Sequence, residues 1–154
     1  MKKIIKTVFA FSFIIYVFAL VMLLFMGGRG FTFTDLSLLE YIKSSSNFVP
    51  FKTISTYIQA IFDGSMNADI PIKNLVGNLF MFLPMGIYLP FFIKKIKRVG
   101  RFSISMIVVL FFIEVIQIVT RRGSFDIDDF ILNMLGALIG FVIWKTNFVQ
   151  KLLR

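Results

Sequence analysis

The sequence predicts an all-α integral membrane protein: four transmembrane helices, with one or two short interfacial helices in the first outward loop. Three observations carry that prediction. Of 154 residues, 58% are hydrophobic and only 16% charged, where a soluble domain carries about a quarter charged. The apolar residues fall into four runs, each long enough at about 1.5 Å per residue to cross a hydrocarbon core of about 30 Å. The basic residues collect on one side of those runs.

The first span covers residues 4–26 and is interrupted only by Lys6. Lys2, Lys3 and Lys6 resemble the start of a signal peptide, but the apolar run is too long and no Ala-x-Ala site follows it, so a retained anchor is expected. The second span, 74–93, contains Pro84, Gly86 and Pro90. Pro84 removes the backbone bond to Phe80 and should kink the helix. A basic loop at 94–101 follows, with Lys94, Lys95, Lys97, Arg98 and Arg101. The third and fourth spans cover 102–120 and 127–144, and Lys145, Lys151 and Arg154 come after them. No repeat or low-complexity segment interrupts this single domain.

The loop at 27–73 is too long to be a simple turn and too apolar to be disordered. Phe51, Ile54, Ile58, Ile61 and Phe62 form a helical stripe, with Lys52, Thr53, Ser55, Thr56 and Gln59 opposite. A helix of this length cannot span, so 51–62 is expected to lie flat at the outer interface until Asp63-Gly64 ends it. A shorter helix is expected over 35–43, with acids early and a lysine late, as the helix dipole favours.

Four spans put both termini on one side. That side holds eleven basic residues and no acid; the other holds six basic residues and, counting Glu114 within a span, all eight acids. The positive-inside rule therefore makes both termini cytoplasmic. The net charge of +9 becomes a sign of orientation. It points to the lipid bilayer as partner and not to nucleic acid. With no cysteine and no histidine, disulfides, thiol nucleophiles, Ser-His catalysis and transition-metal sites are excluded.

Polar residues of the last three spans converge on the outward side. Asn74 and Asn78 lie one turn apart; Glu114, Gln117 and Arg121 share a face, followed by Arg122. Asp126, Asp128 and Asp129 open the fourth span, and Asn133 lies one turn in. Gly136 and Gly140 continue the face of Asn133 and suit close helix packing. Asp126 and Asp129 fit an N-cap and an acidic first turn, and the amides fit interhelical hydrogen bonding. Capping explains either aspartate singly, but not three acids in four positions beside two arginines. Glu114 lies within a span, where a carboxylate is costly unless it is paired or wet; it is a functional candidate with Arg121 or Arg122 as its structural partner.

These motifs resemble the VanZ-like family. The resemblance rests on Asn74-Leu75-Val76-Gly77-Asn78 running through Pro84-Met85-Gly86 to Pro90, and on Glu114-x-x-Gln117. It continues with Arg122-Gly123-Ser124-Phe125-Asp126-Ile127-Asp128-Asp129 and Asn133-x-x-Gly136-x-x-x-Gly140. Asn47-Phe48-Val49-Pro50-Phe51 is similar to a further short motif of the family. The resemblance spans residues 47–140 and implies a small multi-span protein of the bacterial cytoplasmic membrane. The founding member is associated with reduced susceptibility to the glycopeptide teicoplanin. The leading expectation is a non-enzymatic cell-envelope protein without cofactor or metal, whose acidic and amide cluster binds a lipid-linked cell-wall precursor or a glycopeptide. In that expectation Asp126, Asp128 and Asp129 supply acceptors, while Arg121 and Arg122 offer forks for phosphate. The alternative is an intramembrane enzyme acting on a lipid head group, with Glu114 as general base, Asp126 or Asp129 as a second carboxylate, and Mg²⁺ or Ca²⁺ on oxygen ligands. Proton-coupled transport ranks last, because the inner halves of the spans are almost wholly apolar.

Overall fold

The computed structural model describes residues 2–26 and 35–153, without the Lys2 side chain. Arg29, Arg154 and the start of the expected outward loop lie outside the described residues. The order is α1 (Lys2–Phe25), α2 (Leu38–Ser45), α3 (Lys52–Asp63), α4 (Asp69–Met81), α5 (Leu83–Phe92), a 3₁₀ turn (Lys94–Ile96), α6 (Val99–Val119), α7 (Ile127–Lys145) and α8 (Asn147–Leu153). Four segments are long and apolar enough to cross a membrane: α1, α4 with α5, α6 and α7. The protein is an all-α membrane protein; among the described residues the only extended pairing is one isolated parallel bridge, Asn47 with Asp126.

Several boundaries differ from the sequence reading. The second span begins at Asp69, where 74 was expected. Its first five residues include Pro71 and Lys73, which hydropathy alone assigns to the loop. Phe82 interrupts the span, and Pro84 takes the second position of α5, where its missing N–H costs no helical bond. The third span begins at Val99, so Arg101 belongs to its first turn instead of the preceding loop. Asp35 precedes α2; Ser37 caps this helix and closes a capping box with Glu40. The hydroxyl and backbone N–H of Ser37 hold the Glu40 carboxyl below its ordinary range. α3 ends at Gly64 in the left-handed conformation.

α7 is the hub and packs against α4, α5 and α6. A Cβ on Gly136 would strike the Leu79 carbonyl, one on Gly140 the Leu83 carbonyl, and one on Gly86 the backbone of Ala137. The helices therefore meet backbone to backbone, the contact small residues permit in membranes. Phe82, Phe102, Met106, Leu110 and Phe141 fill the core beside this seam. α1 is peripheral, with little of its length buried. Rings of Phe9 and Phe13 pack on Tyr88, Phe91 and Phe92 of α5, and the Tyr16 hydroxyl donates to the Met81 carbonyl at the break in the second span.

Candidate functional site

The polar residues predicted from sequence all lie at the end of the bundle opposite the chain termini, but they divide between two structures. The first is a knot between the loop and the start of α7. Asp126 caps its own helix by accepting from the Asp128 N–H at 2.9 Å. The same carboxylate accepts from Asn47 Nδ2 at 3.1 Å and from the Thr53 hydroxyl at 2.7 Å. Backbone bonds from Asn47 N to Phe125 O and from Ile127 N to Asn47 O, 2.8 and 3.0 Å, close the bridge.

Asp128 is fully buried. Its Oδ1 accepts from the Phe51 N–H at 2.6 Å, and its Oδ2 from the N–H groups of Thr53 and Ile54 at 2.7 and 3.1 Å. It thus caps α3, whose own N-cap residue, Phe51, provides no side-chain cap. A carboxylate on the first turn of a helix meets both unsatisfied donors and the favourable end of the dipole. Phe51 itself has φ +64°. A side chain in that region costs of the order of 1–3 kcal/mol, and the three bonds to Asp128 offset it.

The two arginines and Gln117 secure other backbone ends. Arg121 has φ +53°, and with Arg122 N bonded to Gln117 O at 2.9 Å it terminates α6 in the manner of a left-handed cap. Arg122 donates to Phe25 O at 3.0 Å and Gln117 to Leu24 O at 2.9 Å, so both hold the last turn of α1. Arg121 donates to Leu36 O at 2.8 Å and lies over the Tyr41 ring, whose hydroxyl donates to Gly123 O at 2.9 Å. Asp126, Asp128 and both arginines are thus built into the fold. The oxygens of Asp128, expected to offer acceptors to a ligand, already accept from three backbone donors.

The second structure is a cavity of about 870 Å³. Asn74, Asn78, Glu114, Gln117, Asp129 and Asn133 all line it. Asn78 Nδ2 donates to Asp129 Oδ1 at 2.6 Å and reaches Asn74 Oδ1 at 3.4 Å, linking α4 to α7. Glu114, Asp129 and Asn133 are buried. Leu23 and Leu24 of α1, with Ile70, Phe80 and Met81 of α4, give apolar walls. Sequence reasoning missed four further lining residues: Tyr57, Asp69, Lys73 and Gly77. Lys73 and Asp69 form an ion pair of 2.6 Å; their i, i+4 spacing was a usable signal, as was a glycine inside an apolar helix. Among the described residues, no three carboxylates are grouped as a metal site.

A family model described as VanZ/LLP1 matches residues 13–150. The chain belongs to that family. Protein VanZ of Enterococcus faecium is 26% identical over 109 residues, which make up 71% of this chain and 58% of that protein. This family member therefore spans little more than half the length of the curated relative it matches. No solved structure gives a significant match. Both the knot and the cavity lie inside the segment matched by the family model.

Proposed function

We propose that this family member is a cell-envelope protein of the bacterial cytoplasmic membrane that binds the polar head of an amphiphilic envelope molecule, such as a lipid-linked cell-wall precursor or a glycopeptide. The observation that carries this reading is the cavity: three carboxylates (Asp69, Glu114 and Asp129) and four amide side chains surround one space among apolar helices. Intramembrane polar groups are expensive, and their convergence on a common space is a mark of binding. Its carboxylate and amide oxygens can accept from a donor-bearing head, and its apolar walls suit an attached chain. The segregation of basic residues supports an orientation with both termini in the cytoplasm and the cavity end outward.

Asp129→Asn removes charge from the cavity while keeping an acceptor for Asn78. In a strain whose teicoplanin tolerance depends on this chain, the variant should restore susceptibility while its membrane abundance stays unchanged. Tolerance that is unchanged in the Asp129→Asn strain would count against the reading. Enzymatic action on a lipid head group draws on the same cavity, because Glu114 and Asp129 both line it. Incubation of the purified protein with a lipid-linked precursor separates the two: recovery of a cleaved head group, lost in Glu114→Gln, selects the enzyme.

A further inference from the structure

The glycines of the spans divide into two groups. Gly86, Gly136 and Gly140 are required because a Cβ on any of them would strike the backbone of a facing helix. A Cβ on Gly77 would meet nothing within 4 Å among the described residues. Gly77 sits inside α4, where glycine weakens a helix relative to alanine, and no close helix approach calls for it. It faces the cavity, whose α4 wall includes Asn74, Gly77, Asn78 and Met81.

Two independent observations say what enters there. Asn133 is 4% exposed and lines the same cavity, and its Oδ1 has no hydrogen-bond partner among the described residues. Buried acceptors are nearly always satisfied, so an orphan facing a cavity points to a donor that arrives with a ligand. The cavity is also open sideways: Leu23 of α1 and Ile70 and Phe80 of α4 line it yet remain 58%, 52% and 60% exposed. Both helices belong to candidate spans, so hydrocarbon is the expected neighbour on this side.

We propose that the cavity admits a lipid head group sideways between α1 and α4, across Gly77, and that Asn133 recognises an N–H or O–H donor on that head group. This rests on the cavity being a binding pocket and adds its route and its chemistry. Gly77 keeps the path clear for the polar head; Leu23 and Phe80 flank the chain that trails into the bilayer. A primary ammonium or a hydroxylated head meets the requirement, whereas a trimethylammonium carries no donor.

The chain has no cysteine, so Gly77→Cys creates a single thiol at the decisive position. The full chain is reconstituted in vesicles of dioleoyl phosphatidylcholine, alone or mixed in equal parts with dioleoyl phosphatidylethanolamine. These two head groups share a net charge and differ in donors. A lipid-dissolved maleimide should alkylate the introduced thiol several-fold more slowly when the ethanolamine lipid is present, and Asn133→Leu should erase the difference. Equal rates in both vesicles, or protection that survives Asn133→Leu, overturns donor recognition. Reaction with a charged, water-borne thiol reagent but not with the lipid-dissolved one overturns the sideways route and leaves binding in the cavity intact. Ethanolamine-lipid protection in a chain whose Asp129→Asn variant leaves teicoplanin susceptibility untouched supports the inference and overturns only the antibiotic reading. Gly77→Ala should melt no lower than the parent; a lower melting temperature would show that the space beside Gly77 is already used by the fold.

Discussion

Asp128 and Asp129 are neighbours in sequence and do different work. Both are buried, but consecutive side chains on a helix point about 100° apart. Asp128 turns toward the loop, where three backbone donors from the start of α3 saturate its oxygens. Asp129 turns into the bundle, where it holds Asn78 at the wall of the cavity. The knot around Asp128 joins its hydrogen-bonding groups to one another, while among the described residues the cavity keeps an unmet acceptor on Asn133 and open space beside Gly77. A closed polar network contributes to stability; an incompletely satisfied one is kept at a cost to stability and is therefore a better place to look for function.

Substitutions can break this contrast, most sharply at Asp128. Asp128→Ala leaves three donors at the head of α3 without their charged acceptor, and the expected loss is about 3 kcal/mol or more. It should be read as a fall in melting temperature of the detergent-solubilised chain, with lower accumulation in the membrane. A melt indistinguishable from the parent would remove Asp128 from the knot. Thr53→Val keeps the shape of the side chain but deletes the hydroxyl between Asn47 and Asp126; a loss of about 1 kcal/mol is expected, and a neutral result would confine the knot to its backbone bonds. At Asn133 the sign should reverse. Asn133→Leu removes a buried unsatisfied acceptor, so stability should hold or rise by up to about 1 kcal/mol while donor recognition is lost. Marked destabilisation in the same melt would place Asn133 with the knot instead of the cavity.

The spans were legible because apolar runs of membrane length have few other meanings. The small residues at Gly136 and Gly140 were legible because their spacing repeats along one helix face. The own-helix cap by Asp126 could be read because its partner is two residues away. The bond between Asp128 and α3 could not, because its partners lie 74–77 residues away and are backbone N–H groups, which no residue type advertises. The start of the second span at Asp69 was hidden by Pro71, acceptable in a first helical turn, and by Lys73, paired one turn back with Asp69; hydropathy reads both as loop. α8 went unread because its seven residues are too few for a periodic stripe to stand out. Within the candidate site, chemistry marked the polar residues, but only geometry could divide them between the knot and the cavity. Arg121 and Arg122 look like anion forks in sequence, yet they hold the carbonyls of Leu36 and Phe25.

The cap that α7 provides to α3 also orders events in time. Thr53 leaves the ribosome 75 residues before Asp128, an interval of roughly 4–15 s at about 5–20 residues per second. Throughout that interval the head of α3 lacks the acceptor that completes it. The loop can lock only once the last span has been delivered with its leading end beside Asn47. A chain whose final helix inserts in the wrong direction, or not at all, would leave the head of α3 without these bonds. One aspartate can thus act as a checkpoint on the assembly of the whole bundle.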